Sequence, residues 1–501
     1  MPIDSRPAFT FTTMPLRRSS QLLSPLPLAL FAAWALSACT VGPDYRGAPP
    51  VAASAVQAGA FVRTPATGTT AAPAPSAWWR ALDDAQLDTL IAAALTHNPD
   101  LHAAQARLRE ARAQLRQKEA NELPKTSATV AALRTREPNL SSLLSGSSQS
   151  SSGGGPLQLY AAAFDASWEI DLFGGKRRAV EAASDEADAV DADLADTQVS
   201  LAAEVAQAYI DLRDVQQRLA LGTRSADLQQ QMLTLTEARR ARGTAAEVDV
   251  ERLRGQVETT RAALVPLAAQ IADALDRLAV LTGQPPGALD AELAGPRPLP
   301  ALPAQTPIGN PTALLQQRPD IRAAERRLAS SNAQIGEHIA DYFPKLTLMG
   351  ELGFTAANPG HLTRKQNFSW IGAPYLQWNA LDFGRTAASV RGAEASRDEA
   401  GAKYEQAVLT ALQDANGALS RYGHQREHVV RLEQVQVSAD HAAALMQQRY
   451  AAGVATLIDL LDTQRTQFSA QQDVVAGQAE LLKDFVSLQK SLGLGWQAQA
   501  G

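Results

Sequence analysis

The chain has 501 residues, 45% of them hydrophobic and 20% charged, which are the proportions of a folded protein and exclude a disordered one. The formal net charge is -6 and no basic stripe with interleaved aromatics occurs, so no nucleic-acid partner is expected. A single cysteine, Cys39, rules out an intrachain disulfide and makes its own position informative.

At the N-terminus, Arg17 and Arg18 precede an apolar run from Leu22 to Leu36, broken only by Ser24, Pro25 and Pro27 and ending in Leu36-Ser37-Ala38-Cys39. A basic start, a short apolar core and small residues at a cut site make residues 1–38 a secretion signal, too short and too Pro-marked to span a bilayer. Met14, just ahead of the basic start, is the expected initiator. The ending resembles a bacterial lipobox, which implies that Cys39 is lipidated and becomes the first mature residue. Several acyl chains on one residue anchor stably, where one alone is marginal. A free cysteine in an ordinary signal is the alternative. After Cys39 no stretch of 18 or more apolar residues occurs, so any membrane-spanning part must be a β-barrel.

Residues 39–76 form the segment between anchor and body, and the Ala/Pro/Thr-rich stretch 49–76 reads as a tether. Beyond it the chain is written twice. Asn98-Pro99-Asp100-Leu101 recurs as Arg318-Pro319-Asp320-Ile321, and Leu123-Pro124-Lys125 as Phe343-Pro344-Lys345, each 220 residues on. Trp168 to Phe173-Gly174 recurs as Trp378 to Phe383-Gly384, Gly243 with Asp249 as Gly453 with Asp459, and Gly283 as Gly493, each 210 residues on. The ten-residue difference falls at the Ser/Gly-rich stretch 141–155, an exposed loop by composition. The first repeat is therefore 77–283 and the second 312–493, followed by a C-terminal tail, 494–501. Eight prolines in 284–311 predict an extended, non-helical crossover.

Each repeat predicts a helix, two strands, a very long helix, a sharp break and a return helix. Lys176 to Arg242 contains no proline, and neither does Arg385 to Ala452. As continuous helices each would reach on the order of 100 Å, a rod no compact domain needs. The stripe Leu201, Val205, Ala208, Leu212, Val215, Leu219 is a coiled-coil seam, and the abundant alanines allow close approach of neighbouring backbones. Gly243 and Gly453 sit where a helix end wants a left-handed residue, so each long helix should fold back as an antiparallel hairpin. Pro266 predicts a kink in the first return helix. The strands alternate: Leu346, Leu348, Gly350, Leu352 and Phe354 on one parity against Lys345, Thr347, Met349, Glu351, Gly353 and Thr355 on the other. Such alternation suits a barrel wall with lipid on one side and water on the other. In the partner strand, Pro374 predicts a bulge. Four strands cannot close a barrel, so several chains must contribute.

The run Trp78-Trp79, Leu82-Asp83-Asp84, Leu87, Leu90-Ile91, Asn98-Pro99-Asp100-Leu101 resembles the mature start of the outer-membrane factors of tripartite efflux systems, the TolC-like family, and in particular its NodT-type lipoprotein branch. So do Cys39-Thr40-Val41-Gly42-Pro43-Asp44-Tyr45, Arg318 to Glu325, Phe343-Pro344, Arg449-Tyr450 before Gly453, and Leu457 to Arg465. The resemblance covers nearly the whole chain after the signal. It implies a mainly α protein with membrane β-structure, a homotrimer in which four strands per chain close a twelve-stranded β-barrel continued by a long α-helical barrel across the periplasm, with a mixed girdle around its middle. It further implies an outer-membrane location anchored by lipid, a periplasmic adaptor protein and an inner-membrane pump of the resistance-nodulation-division type as partners, and a passive duct for drugs or other small toxic compounds. No enzyme activity and no cofactor beyond the covalent lipid on Cys39 are implied. A type I protein-secretion duct is the alternative within this fold, and a trimeric surface stalk or adhesin the alternative outside it.

By position, Asp249, Asp459 and Asp462 match the aspartates that narrow the periplasmic mouth in this family, and three chains would set them in rings that attract cations and repel one another. As plain sequence they also fit solvated acids near the N-termini of return helices, where the dipole favours them, Asp249 as readily as a gate residue and Asp459 and Asp462 less so. The family's basic residue two positions after the turn glycine is absent, since Val454-Ala455-Thr456 follow Gly453. The resemblance also makes Gly243, Thr244, Gly453 and Val454 the adaptor-docking tips. His424-Gln425-Arg426-Glu427-His428 fits a zinc-protease pattern, with two histidines on one helical face, but a rod lacks that motif's fold context and no metal is expected there. The acids from Asp185 to Asp196 lack calcium-loop spacing, and five methionines without a cluster disfavour a copper duct.

Overall fold

The structure is a computed structural model and describes residues 40–135 and 157–496. The signal segment with Met14, Cys39, the stretch 141–155 and residues 497–501 lie outside the described residues. In chain order the elements are α1 (Ala53–Gln57), β1 (Thr69–Thr70), α2 (Ala85–His97), α3 (Pro99–Ala120), β2 (Lys125–Thr135), β3 (Leu157–Ile170), α4 (Gly175–Ala241), α5 (Glu247–Leu281), α6 (Asp290–Leu293), β4 (Thr306–Pro307), α7 (Pro311–Gln317), α8 (Pro319–Ala340), β5 (Lys345–Ala356), β6 (Phe368–Gln377), α9 (Arg385–Ala451) and α10 (Leu457–Ser491).

The duplication is exact in length for three pairs of helices, though not for α2 and α7, which have 13 and 7 residues. α4 and α9 have 67 residues each, α5 and α10 have 35, and α3 and α8 have 22. Pro99 and Pro319 stand at the first helical position, where the missing N–H is no loss, and Asn98 caps α3 by accepting from the Asp100 and Leu101 amides. The α4 stripe is buried from Leu201 to Val215, and Leu219 is half-buried. Ala182, Ala187, Ala189, Ala192 and Ala195 are buried too, where α8 lies along α4. Small side chains there let two backbones approach, as the composition predicts. α5 runs through Pro266 as one helix.

A four-stranded antiparallel sheet of order β2-β3-β5-β6 crowns the long helices, the two hairpins being joined through β3 and β5. Residues opposite one another share a face. One face therefore gathers Phe164, Trp168, Leu348, Leu352, Phe368, Trp370 and Leu376, and the other Thr129, Asp165, Glu169, Thr347, Glu351 and Gln377. β2 and β6 are both open edges. The bulge expected at Pro374 does not occur: pairing runs unbroken from Lys345 opposite Gln377 to Phe354 opposite Phe368, with Pro374 opposite Leu348. Its edge strand is where a missing N–H costs least. Among the described residues no helix is long and apolar enough to cross a membrane.

The principal core sits midway along the rods. Trp78 meets Trp79 at 5.7 Å and Phe485 at 5.9 Å between ring centroids, inside a cluster that includes Leu87, Ile91, Tyr209, Tyr422 and Leu488. Two readings of composition are corrected here. The crossover 284–311 is not wholly extended, because its proline-free centre closes one helical turn, α6, whose Leu293 is buried. The stretch 49–76 is no loose tether: Phe61 is buried, Arg63 N donates to Asn416 Oδ1 at 3.2 Å, and β1 pairs in parallel with β4 of the crossover. Proline and alanine made it look unstructured, yet it binds through backbone groups, which composition does not show. The start of the tail is likewise packed, with Leu494 buried and Arg322 over the Trp496 ring at 5.3 Å.

Candidate functional site

The hairpin tips and the N-terminal seat are built from local rules. Gly243 and Gly453 both have φ of +76, and a Cβ at either would meet nothing within 4 Å, so backbone conformation rather than space selects glycine. Gly453 N donates to Tyr450 O and Val454 N to Arg449 O, both at 3.0 Å, and Gly243 and Thr244 make the matching bonds to Arg240 and Arg239. This closes each long helix and sends the chain back. Thr244 and Val454 are exposed at the ends of the rods.

The return helices start differently. Thr456 Oγ1 accepts from the Asp459 amide while Asp459 Oδ2 accepts from the Thr456 amide and hydroxyl, a reciprocal capping box. The Thr456 hydroxyl and then its N–H hold the Asp459 carboxyl below the ordinary carboxylate range. Asp462 is exposed and bonded to Arg465 at 2.9 Å. Asp249 is half-buried in the first turn of α5, which has no side-chain cap. Asp459 thus has a structural partner that Asp249 lacks, and Asp459 and Asp462 both stand on open surface of the single chain.

The tips hold each other by contacts the sequence reading missed. Leu233, Val250, Leu253, Val257 and Leu457 form a second buried cluster, backed by Met232, Tyr450 and Leu461. Arg239 lies over the Tyr450 ring at 5.9 Å, and Arg240 pairs with Glu247 across the first turn. The spacing of Val250, Leu253 and Val257 is the signal that could have pointed there.

At the opposite end of α4, residues 40–47 are seated beneath the sheet. Val41 N donates to Phe173 O at 3.0 Å, and Arg178, itself buried, donates to Val41 O and pairs with Asp44 and Glu181. The Tyr45 hydroxyl donates to Glu325 Oε1 at 2.8 Å, and Asn332 Nδ2 to Pro43 O at 2.8 Å. A Cβ on Gly42 would lie 2.4 Å from Gly336 Cα, so strap and helix meet backbone to backbone. Close by, Arg326 reaches Asp185 at 3.0 Å, yet burial pushes that carboxyl up to about 6.

His424, Glu427 and His428 are exposed on α9, and among the described residues no group of three or more His, Cys, Asp or Glu is placed to hold a metal ion. A groove of about 860 Å³ between the hairpins has several amides in its lining, among them Gln217, Gln229, Gln467 and Gln471. Its wall mixes these amides with apolar side chains such as Leu228 and Phe468 and with two arginines, Arg224 and Arg297.

Comparison with known proteins matches this architecture throughout. The family model described as outer membrane efflux protein matches residues 90–284 and again 310–494. The chain is 32% identical over 472 residues to the antibiotic efflux pump outer membrane protein ArpC of Pseudomonas putida, covering 94% of this chain and 95% of that one. It is 30% identical to nodulation protein T of Rhizobium leguminosarum bv. trifolii, over 93% of this chain and 97% of that one. Among solved structures, the outer-membrane channel OprN aligns with a TM-score of 0.82 at 36% identity, covering 92% of this chain and all of that one. The open-state MtrE channel of Neisseria gonorrhoeae aligns with a TM-score of 0.76 at 28% identity, over 91% and 98%. The chain belongs to the outer membrane efflux protein family, in its TolC-like, NodT-type form, and is an outer-membrane efflux channel protein.

Proposed function

We propose that three copies of this chain form a passive exit duct of a tripartite efflux system, without enzymatic activity, carrying drugs or other small toxic compounds from a resistance-nodulation-division pump and a periplasmic adaptor to the cell exterior. One observation carries this reading: a sheet with one apolar and one polar face, open at both edges, set on paired rods of 67 residues. A wall of four strands must be completed by sister chains before its apolar face can meet lipid without exposed edges. The antibiotic efflux role in the name of the Pseudomonas putida relative favours small compounds over secreted proteins as cargo. A surface stalk is disfavoured by strands in the middle of each repeat.

In this reading Cys39 carries the lipid. Support comes from Thr40, the next residue, whose side chain packs against Gly174 where β3 passes into α4. That junction is the level at which a barrel wall leaves the bilayer, so acyl chains at Cys39 would enter the inner leaflet beside it. Gly243, Thr244, Gly453 and Val454 are the docking tips for the adaptor, and Asp459, Asp462 and Asp249 line the periplasmic gate. Opening swings the tips outward against the Leu233–Leu457 cluster. The test is drug susceptibility of a strain deleted for the gene, complemented by wild type or by Cys39→Ser. Wild type restores tolerance and Cys39→Ser restores less; unaltered tolerance to every compound on deletion contradicts the efflux reading.

A further inference from the structure

The apolar face of the sheet is bounded by aromatic rings at both ends. At the helix end stand Trp168 and, just past β6, Trp378, whose indole N–H groups donate to Glu122 O at 2.8 Å and to Tyr342 O at 3.0 Å. At the far end stand Tyr160, Phe354, Phe368 and Trp370, with Phe354 and Phe368 5.3 Å apart between ring centroids. The strand from Trp378 to Phe368 rises roughly 33 Å at about 3.3 Å per residue, and a barrel tilt of about 40° leaves roughly 25 Å between the two belts, the height of a membrane barrel's apolar band. Beyond the far belt the charge is of one sign. Arg134 shares the parity of Ala128, which lies opposite Phe164, so it stands on the apolar side of β2, just past Ala132, the partner of Tyr160. Arg364 precedes and Lys365 begins the single 3-10 turn, Lys365–Asn367, that leads into β6 at Phe368. All three side chains are exposed, and none has an ion-pair partner among the described residues. The described segments beyond the belt, 133–135, 157–159 and 357–367, contain no Asp or Glu. At the helix end, by contrast, cations are matched: Lys345 pairs with Asp341 at 2.8 Å and Arg177 with Asp171 at 3.4 Å.

We propose, resting on the reading of this sheet as a membrane barrel wall, that Arg134, Arg364 and Lys365 form a collar that binds the phosphate groups of a phosphorylated glycolipid in the outer leaflet. The far belt fixes the depth, because a cation one strand step past the last aromatic ring stands at headgroup level. An arginine on a lipid-facing position is costly at mid-membrane and nearly free at the interface, which is where Arg134 lies. Each guanidinium presents a fork of donors that matches phosphate oxygens in pairs, and the lysine ammonium adds a further positive charge. The acyl chains of the same lipid lie on the rings beneath, Phe368 and Trp370 below Arg364 and Tyr160 below Arg134. One ligand thus satisfies both the apolar band and the cations above it. An acidic protein is disfavoured as occupant, because the collar is continuous with a surface that faces hydrocarbon.

The experiment follows thermal unfolding of the purified full chain in an uncharged detergent, with bisphosphorylated lipid A, the same lipid stripped of phosphate, or inorganic phosphate added. A ligand held by the folded state alone raises the unfolding temperature. Wild type should unfold several degrees higher with bisphosphorylated lipid A, gain only a small part of that rise from the stripped lipid, and be unmoved by inorganic phosphate. Arg134→Ser with Arg364→Ser and Lys365→Ser should lose most of the rise, yet unfold at the wild-type temperature in detergent alone, since none of the three side chains has a partner to lose. Lys125→Ser, which removes a cation at the helix end, should keep the rise. If the triple variant does not fold, Arg134→Ser and Arg364→Ser singly carry the test, each losing part of the rise. An equal rise with stripped lipid or with inorganic phosphate, or a full rise in the serine variants, overturns the collar. Where the particle still requires detergent, that result leaves the duct reading intact; a particle soluble without detergent overturns both.

Discussion

Single residues here are governed by burial as much as by partner. Asp185 shows the consequence for pH. Its carboxyl is pushed up to about 6 mainly by burial, with Arg326 opposing and Glu181, Asp188 and Glu325 adding to the rise. Unfolded, it titrates near 4, so between about pH 4 and 6 the folded chain holds a proton that the unfolded chain has released. Stability from this group is complete below that window and lost as pH rises through it. Thermal unfolding in detergent should thus show wild type losing stability relative to Asp185→Asn from pH 4 to 6; a gain over that range would refute the assignment. At the tips, Asp459→Ala with Asp462→Ala should enlarge single-channel conductance in planar bilayers, and unchanged conductance would remove both residues from the gate. The sequence exposed these aspartates by position but concealed the Thr456 box, because a cap and a gate both place an acid in the first helical turn.

At the level of elements, the long rods, the return helices and the paired strands were legible from periodicity and from the two turn glycines, since these depend on local spacing. The strap at 40–76 and the one-turn helix α6 were not. Both are defined by partners far along the chain, Gly336 for Gly42 in the strap, and Gln216 and Gln86, which donate to Leu293 O and Glu292 O, for α6, and no local pattern encodes such a pairing. The unbroken strand at Pro374 was misjudged because edge position is a property of the sheet and not of the strand.

For the whole molecule, the central claim is that one chain is an incomplete wall. Its apolar sheet face, two open edges, bare Phe383 and rods far longer than any core they enclose are each costly alone and each satisfied by neighbours of the same kind. Duplication within the chain makes this readable: each repeat contributes one hairpin and one pair of rods. The most direct measurement is the mass of the purified, detergent-solubilised particle by light scattering, with detergent subtracted. Three chains per particle, with loss of solubility when detergent is removed, is the predicted result. A stable monomer in water without detergent would contradict the account.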